Sequence, residues 1–211
     1  MTEPAPATTT QRRIVAGAAI VAIGTSVVGS AFAPWLLAHA PVLLLALAPE
    51  PRHVVLTTPL LDASVIIPLT VARRVAGLVA LYFLGFAYGE SAIRFIEERL
   101  GKMGRLLRWV QRNLGRFGAW LVLALPMPSV SVLAGVSNVP LGRTVLAMTI
   151  GQCFWVTLTW AFGDVARPFV EPVVAWLEAH ALPATAVCVA AVVVWQAWSR
   201  WRRRRAPDAA E

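Results

Sequence analysis

The ionisable side chains that lie within or at the edge of apolar stretches of this sequence are Asp62, Arg73, Arg74, Glu90 and Arg143. An unpaired charge is costly in hydrocarbon, so such groups usually hold or move an ion or a charged ligand. Asp62 stands between Pro59 and Pro68 in a run of Val, Leu and Ile, and is the first candidate for a protonatable or cation-binding group. Its other reading is a carboxylate capping a helix at the membrane interface. Glu90 opens the charged part of the chain and either takes part in a site or snorkels to the surface. Arg73 and Arg74 suit a lipid head group, or simply flank a helix. Arg143 either pairs with a lipid phosphate or marks the cytoplasmic end of its helix.

Enzymatic chemistry finds little to work with. His39, His53 and His180 lack metal-site spacing and have no carboxylate placed to assist them. There is no Gly-x-Ser-x-Gly elbow, no His-Glu-x-x-His and no phosphate-binding glycine loop. Cys153 and Cys188 sit in apolar stretches and read as small buried hydrophobes. The expectation is a protein that is not an enzyme and has no cofactor and no metal.

The elements that would position these groups are membrane helices. Apolar residues make up 58% of the chain and charged residues 14%, and the mean hydropathy of +0.67 leaves too little polar surface to solvate a globule of 211 residues. Ile14 to about Ala33 is long enough to span a bilayer, and it is too long for the h-region of a signal peptide. Pro34, Pro41 and Pro49 break the next stretch, leaving Ala38–Ala48 as a short interfacial or re-entrant helix. Val54–Ala72, with Pro59 and Pro68, reads as a re-entrant hairpin, and Val75–Ile93 as a helix containing Gly77, Gly85 and Gly89. Phe117–Leu141 carries Pro126, Pro128, Gly135 and Pro140 and again reads as broken. Thr144–Phe162 and Leu182–Ser199 are clean spans, the second closed by Trp195, Trp198, Trp201 and an arginine cluster. A broken segment followed by a clean helix thus occurs twice, and paired interrupted segments point to a transporter's midplane site.

Between them, Arg105, Arg108, Arg112 and Arg116 recur on one helical face and Met103, Leu107, Val110 and Leu114 on another. Arg94–Arg116 is therefore expected to be an amphipathic interfacial helix. Arg12 and Arg13, this block and the terminal arginines place both termini in the cytoplasm, with Arg73 and Arg74 near the outer side. The loop bearing Arg167, Glu171 and Glu178 would lie outside. The net charge of +8 is spread as patches beside apolar runs, which suits anionic lipid head groups rather than nucleic acid. The expected fold class is an all-α integral membrane protein: transmembrane helices, two Pro/Gly-broken re-entrant segments and an amphipathic interfacial helix. Residues 1–13 form a cytoplasmic tail, 14–199 one polytopic membrane domain and 200–211 a basic cytoplasmic tail. The setting expected is a bacterial inner membrane, the partners are membrane lipids, and homo-oligomerisation stays open.

One set of residues adds a family likeness. Gly115-Arg116-Phe117-Gly118-Ala119-Trp120, the Pro126/Pro128 break, Ala134-Gly135, Arg143 and Ile150-Gly151 followed by Trp155 resemble the DedA family, also called the VTT or SNARE-associated-domain family. Upstream, Tyr82-x-Leu84-Gly85-x-x-x-Gly89 resembles the family's Tyr-x-Ile/Leu-Gly-Arg-x-x-Gly. The likeness covers about residues 41–163. It implies two facing re-entrant hairpins and translocation of undecaprenyl phosphate or phospholipid, driven by a proton or sodium gradient. The chain departs from the pattern at Leu78, where the family has an acid, and at Phe86, where it has an arginine. Leu121–Leu133 lacks the family's arginines, and only Arg143 carries over. The second reading is an accessory or structural membrane protein without transport.

Overall fold

Proline placement explains the local structure of this chain. In the computed structural model, which describes residues 9–89, 123 and 127–205, residues 33–57 fold as three helices of seven residues each: α2 (Ala33–His39), α3 (Pro41–Leu47) and α4 (Pro51–Thr57). Each carries a proline in its first turn. The residue before a proline is pushed out of helical geometry, while the proline's own fixed φ suits the start of a helix. Pro41 therefore ends α2 and begins α3, while Pro49 ends α3 and Pro51 begins α4.

Long apolar runs with no proline beyond their second turn give long helices. These are α1 (Thr9–Ala31), α5 (Ala63–Tyr88), α7 (Leu141–Val165) and α9 (Ala181–Arg205). Two shorter helices, α6 (Pro128–Val136) and α8 (Arg167–Ala179), again open on proline. The described residues form helices and no strand. Among the described residues four helical stretches are long and apolar enough to cross a membrane: Arg13–Ala31, Ala63–Tyr88, Leu141–Val165 and Ala181–Ser199. Ile14, Ile20, Leu182 and Val187 are more than half exposed on these stretches, and a bilayer is the solvent that suits such faces.

The structure corrects several expected boundaries. Val54–Ala72 is not one segment broken at both prolines. The chain leaves helix at Thr58, turns through Pro59 and resumes in α5, which runs through Pro68. Pro68 falls in the second turn of that helix, where only one backbone hydrogen bond is lost. Val75 is therefore interior to α5 and not its start. The loop expected around Glu171 and Glu178 is the helix α8. Glu90, Arg94–Arg116 and Pro126 lie outside the described residues.

The described residues form two compact units, those up to 24 with those between 67 and 160, and those between 25 and 66 with those from 161 onward. In the first, Leu78 and Tyr82 of α5, Val130, Leu133 and Ala134 of α6, and Ala147 and Met148 of α7 make the core. Glycine brings α5 and α6 backbone to backbone: Gly85 lies on the main chain of Val132 and Gly135 on that of Tyr82, with no room for a Cβ at either. Without water to drive helices together, such close packing is how membrane helices associate. In the second unit, Leu36, Leu37 and Leu44 pack with Val170 and Val174 of α8.

Candidate functional site

Two adjacent arginines stand close to the middle of α5, and the first unit surrounds both with partners. Arg73 and Arg74 are half-buried. The Arg73 guanidinium donates through Nη2 to the backbone carbonyl of Ala22 in α1 at 3.2 Å. The Arg74 guanidinium donates through Nη1 to Oε1 of Gln152 at 3.3 Å. Gln152 is buried, 5% exposed, and lies close to the middle of α7. One turn earlier on α5, Thr70 is fully buried and its hydroxyl has no hydrogen-bond partner among the described residues. Residues three and four apart share a helix face, so Thr70 lies on the side of α5 that carries Arg73 and Arg74. Instead of lying near one end of a helix, the two arginines thus belong to a polar layer at mid-helix.

A second contact set holds this layer's scaffold. Asn138 adopts a left-handed conformation, φ 52°, which asparagine tolerates better than most residues, and so closes α6. Ser137 N–H and Val139 N–H donate to the carbonyls of Leu133 and Ala134. The turn sets the Val139 carbonyl to accept the Tyr82 hydroxyl at 2.7 Å. Tyr82, Gly85 and Ala134-Gly135, separate motifs in the sequence, therefore meet at the α5–α6 crossing. Arg143 does not join the arginine layer. It is exposed in the first turn of α7, about 13 Å along the helix from Gln152.

In the second unit Asp62 is exposed and immediately precedes α5, where its backbone carbonyl accepts the amides of Val65 and Ile66. That is the helix-capping position. The more elaborate polar group nearby has no counterpart among the sequence-based expectations. Ser30 donates to Oε1 of Glu50 at 3.0 Å, and Arg52 pairs with Glu50 Oε2 at 2.6 Å. His53 is buried, and its Nδ1 lies 2.7 Å from the Ala48 carbonyl. A carbonyl only accepts, so Nδ1 carries the proton. Burial lowers the His53 pKa from its ordinary value, and the hydrogen bond to Ala48 opposes this in part. Arg167 bridges from Asp164, at 3.1 Å, to the Thr58 carbonyl, at 3.4 Å.

Gln152 escaped notice because an amide carries no charge, although a lone amide inside an apolar span is a usable signal. Ser30 and Glu50 are 20 residues apart and no spacing rule pairs them. Among the described residues no group of three or more His, Cys, Asp or Glu is placed to hold a metal ion. No protein-family model, no curated protein and no solved structure matches this chain.

Proposed function

We propose that this multi-pass membrane protein moves a lipid with an anionic phosphate head group across the bilayer, and that Arg73 and Arg74 handle that head group. The observation that carries the reading is the mid-helix arginine pair on a stretch able to span a membrane. Placing an arginine at the centre of a spanning helix costs roughly 2.5–3.5 kcal/mol by insertion scales, and such residues ordinarily mark a substrate or ion path. The bonds to Ala22 and Gln152 offset part of that cost and fix where the guanidinium groups sit. A phosphate suits them because planar guanidinium donors match its oxygens.

The DedA-like motifs support the same cargo class, undecaprenyl phosphate or phospholipid, in a bacterial inner membrane. Within this reading Arg143 meets the head group at the end of α7, and Asp62 is the group through which a proton gradient acts. Re-entrant entry of the proline-rich segments belongs to the proposal as well. A specific observation favours the accessory reading: both arginines bond to other helices, as struts would. Translocation of a phospholipid by the purified protein in vesicles separates the two. A wild-type rate in Arg74→Gln assigns the arginines to bracing.

A further inference from the structure

A groove of about 860 Å³ runs along α9 in the second unit, walled on one side by Phe32 and Trp35 at the start of α2. From Leu182 to Val194 it follows α9 for about 18 Å. That compares with about 15 Å for the hydrocarbon depth of one leaflet. Its volume falls in the range of ordinary ligand sites, about 300–1,000 Å³.

The wall offers almost nothing polar. Of the lining residues only Thr185 and Trp35 carry a side-chain polar atom, and the Thr185 hydroxyl is shielded from solvent, so the surface it gives the groove is carbon. The helical threonines Thr57, Thr144, Thr149 and Thr159 each donate back to the carbonyl four residues earlier. Thr185 has no such partner among the described residues, and its hydroxyl, being shielded, offers nothing to a ligand head. The spanning part of α9 buries only 11% of its residues against the protein, so this face looks outward into whatever surrounds the helix. Around a spanning helix, that is lipid.

We infer that the α2–α9 groove is a binding site for one acyl chain of a membrane phospholipid, held laterally with its head group outside the groove. The small side chains of Ala186 and Ala190 give the chain depth, and Phe32 and Trp35 cover it from the side. The site is distinct from the arginine layer and does not depend on lipid movement. Its failure would therefore leave the transport proposal untouched.

The experiment uses the full-length protein in phospholipid vesicles doped with a phospholipid carrying a diazirine in mid-acyl chain. Adducts mapped by mass spectrometry should concentrate on residues 182–194 and be sparse on α1, whose Ile14 and Ile20 are as exposed. Ala190→Trp, which fills the groove at an exposed position, should remove the concentration. Val187→Trp, outside the lining, should leave it intact. Equal labelling of α1 and α9 in the wild-type protein overturns the site without recourse to any variant. So does efficient disulfide formation between two copies of an Ala190→Cys protein carrying serine at positions 153 and 188, which would mark the face as a protein interface.

Discussion

Replacing Gly85 by alanine should open the α5–α6 crossing. A Cβ at this position would fall on the main chain of Val132, which cannot step aside as a flexible side chain could. Gly77→Ala is the matched control. It lies on the same helix, and its added methyl meets only Arg73 Nη1, at an ordinary 3.6 Å. The gain in helix propensity, about 1 kcal/mol, is common to both substitutions and cancels in the comparison. What remains for Gly85 is overpacking, worth about 1–3 kcal/mol. Separating the helices would also strain the Tyr82–Val139 hydrogen bond, worth about 1 kcal/mol. Gly85→Ala should therefore be less stable than Gly77→Ala by about 2–4 kcal/mol in reversible unfolding in mixed micelles. Gly85→Ala with Gly135→Ala should cost less than the two single effects added, because both open the same crossing. Equal stability of the Gly85 and Gly77 variants would refute the backbone-to-backbone packing.

His53, buried with a lowered pKa, resists protonation when folded, whereas the unfolded chain takes up a proton near pH 6.5. Stability is therefore undiminished above that pH and falls as pH drops below it, until the folded imidazole itself titrates. The loss is at most about 1.4 kcal/mol at about pH 5.5. A His53→Gln protein whose melting temperature keeps the same dependence between pH 5.5 and 7.5 would assign that dependence to another group. Cysteines placed at positions 10, 104 and 209 should resist a membrane-impermeant reagent in intact cells, and labelling of any one would break the topology. Asp62→Asn should abolish the effect of a proton gradient on lipid movement without altering unfolding. A gradient response that persists would restrict Asp62 to capping α5.

Three of the four spanning stretches, in α1, α7 and α9, were legible because long runs of apolar residues with few charges have few other uses, whereas α5 was divided between a hairpin and a later helix. The breaks at Pro34, Pro41 and Pro49 were legible too, although not that prolines would begin three short helices there. Pro68 misled because a proline early in a helix removes one bond and need not end it. The helix α8 was read as a loop: Pro168 and Pro172 suggest interruption, yet Val170 and Val174 form a buried face that holds it against α2. The arginines were found by charge alone, but their depth depends on helix boundaries that Pro68 obscured. Gln152 and Ala22, the groups that hold them, are a neutral amide and a backbone carbonyl and left no mark in the charge pattern.

The most direct test of the central claim is the rate at which the protein, reconstituted in vesicles, moves a fluorescent phospholipid with an anionic head group, compared with a zwitterionic one. Losing one charge-assisted contact to phosphate is worth about 1.5–3 kcal/mol, or roughly ten- to a hundredfold in rate if the contact forms during passage. Arg74→Gln should therefore slow the anionic lipid by about that factor, while Arg74→Lys, which keeps the charge but loses the planar fork of donors, recovers only part of the rate. A wild-type protein that moves neither lipid faster than empty vesicles, or an Arg74→Gln protein that moves the anionic lipid at the wild-type rate, would contradict the account.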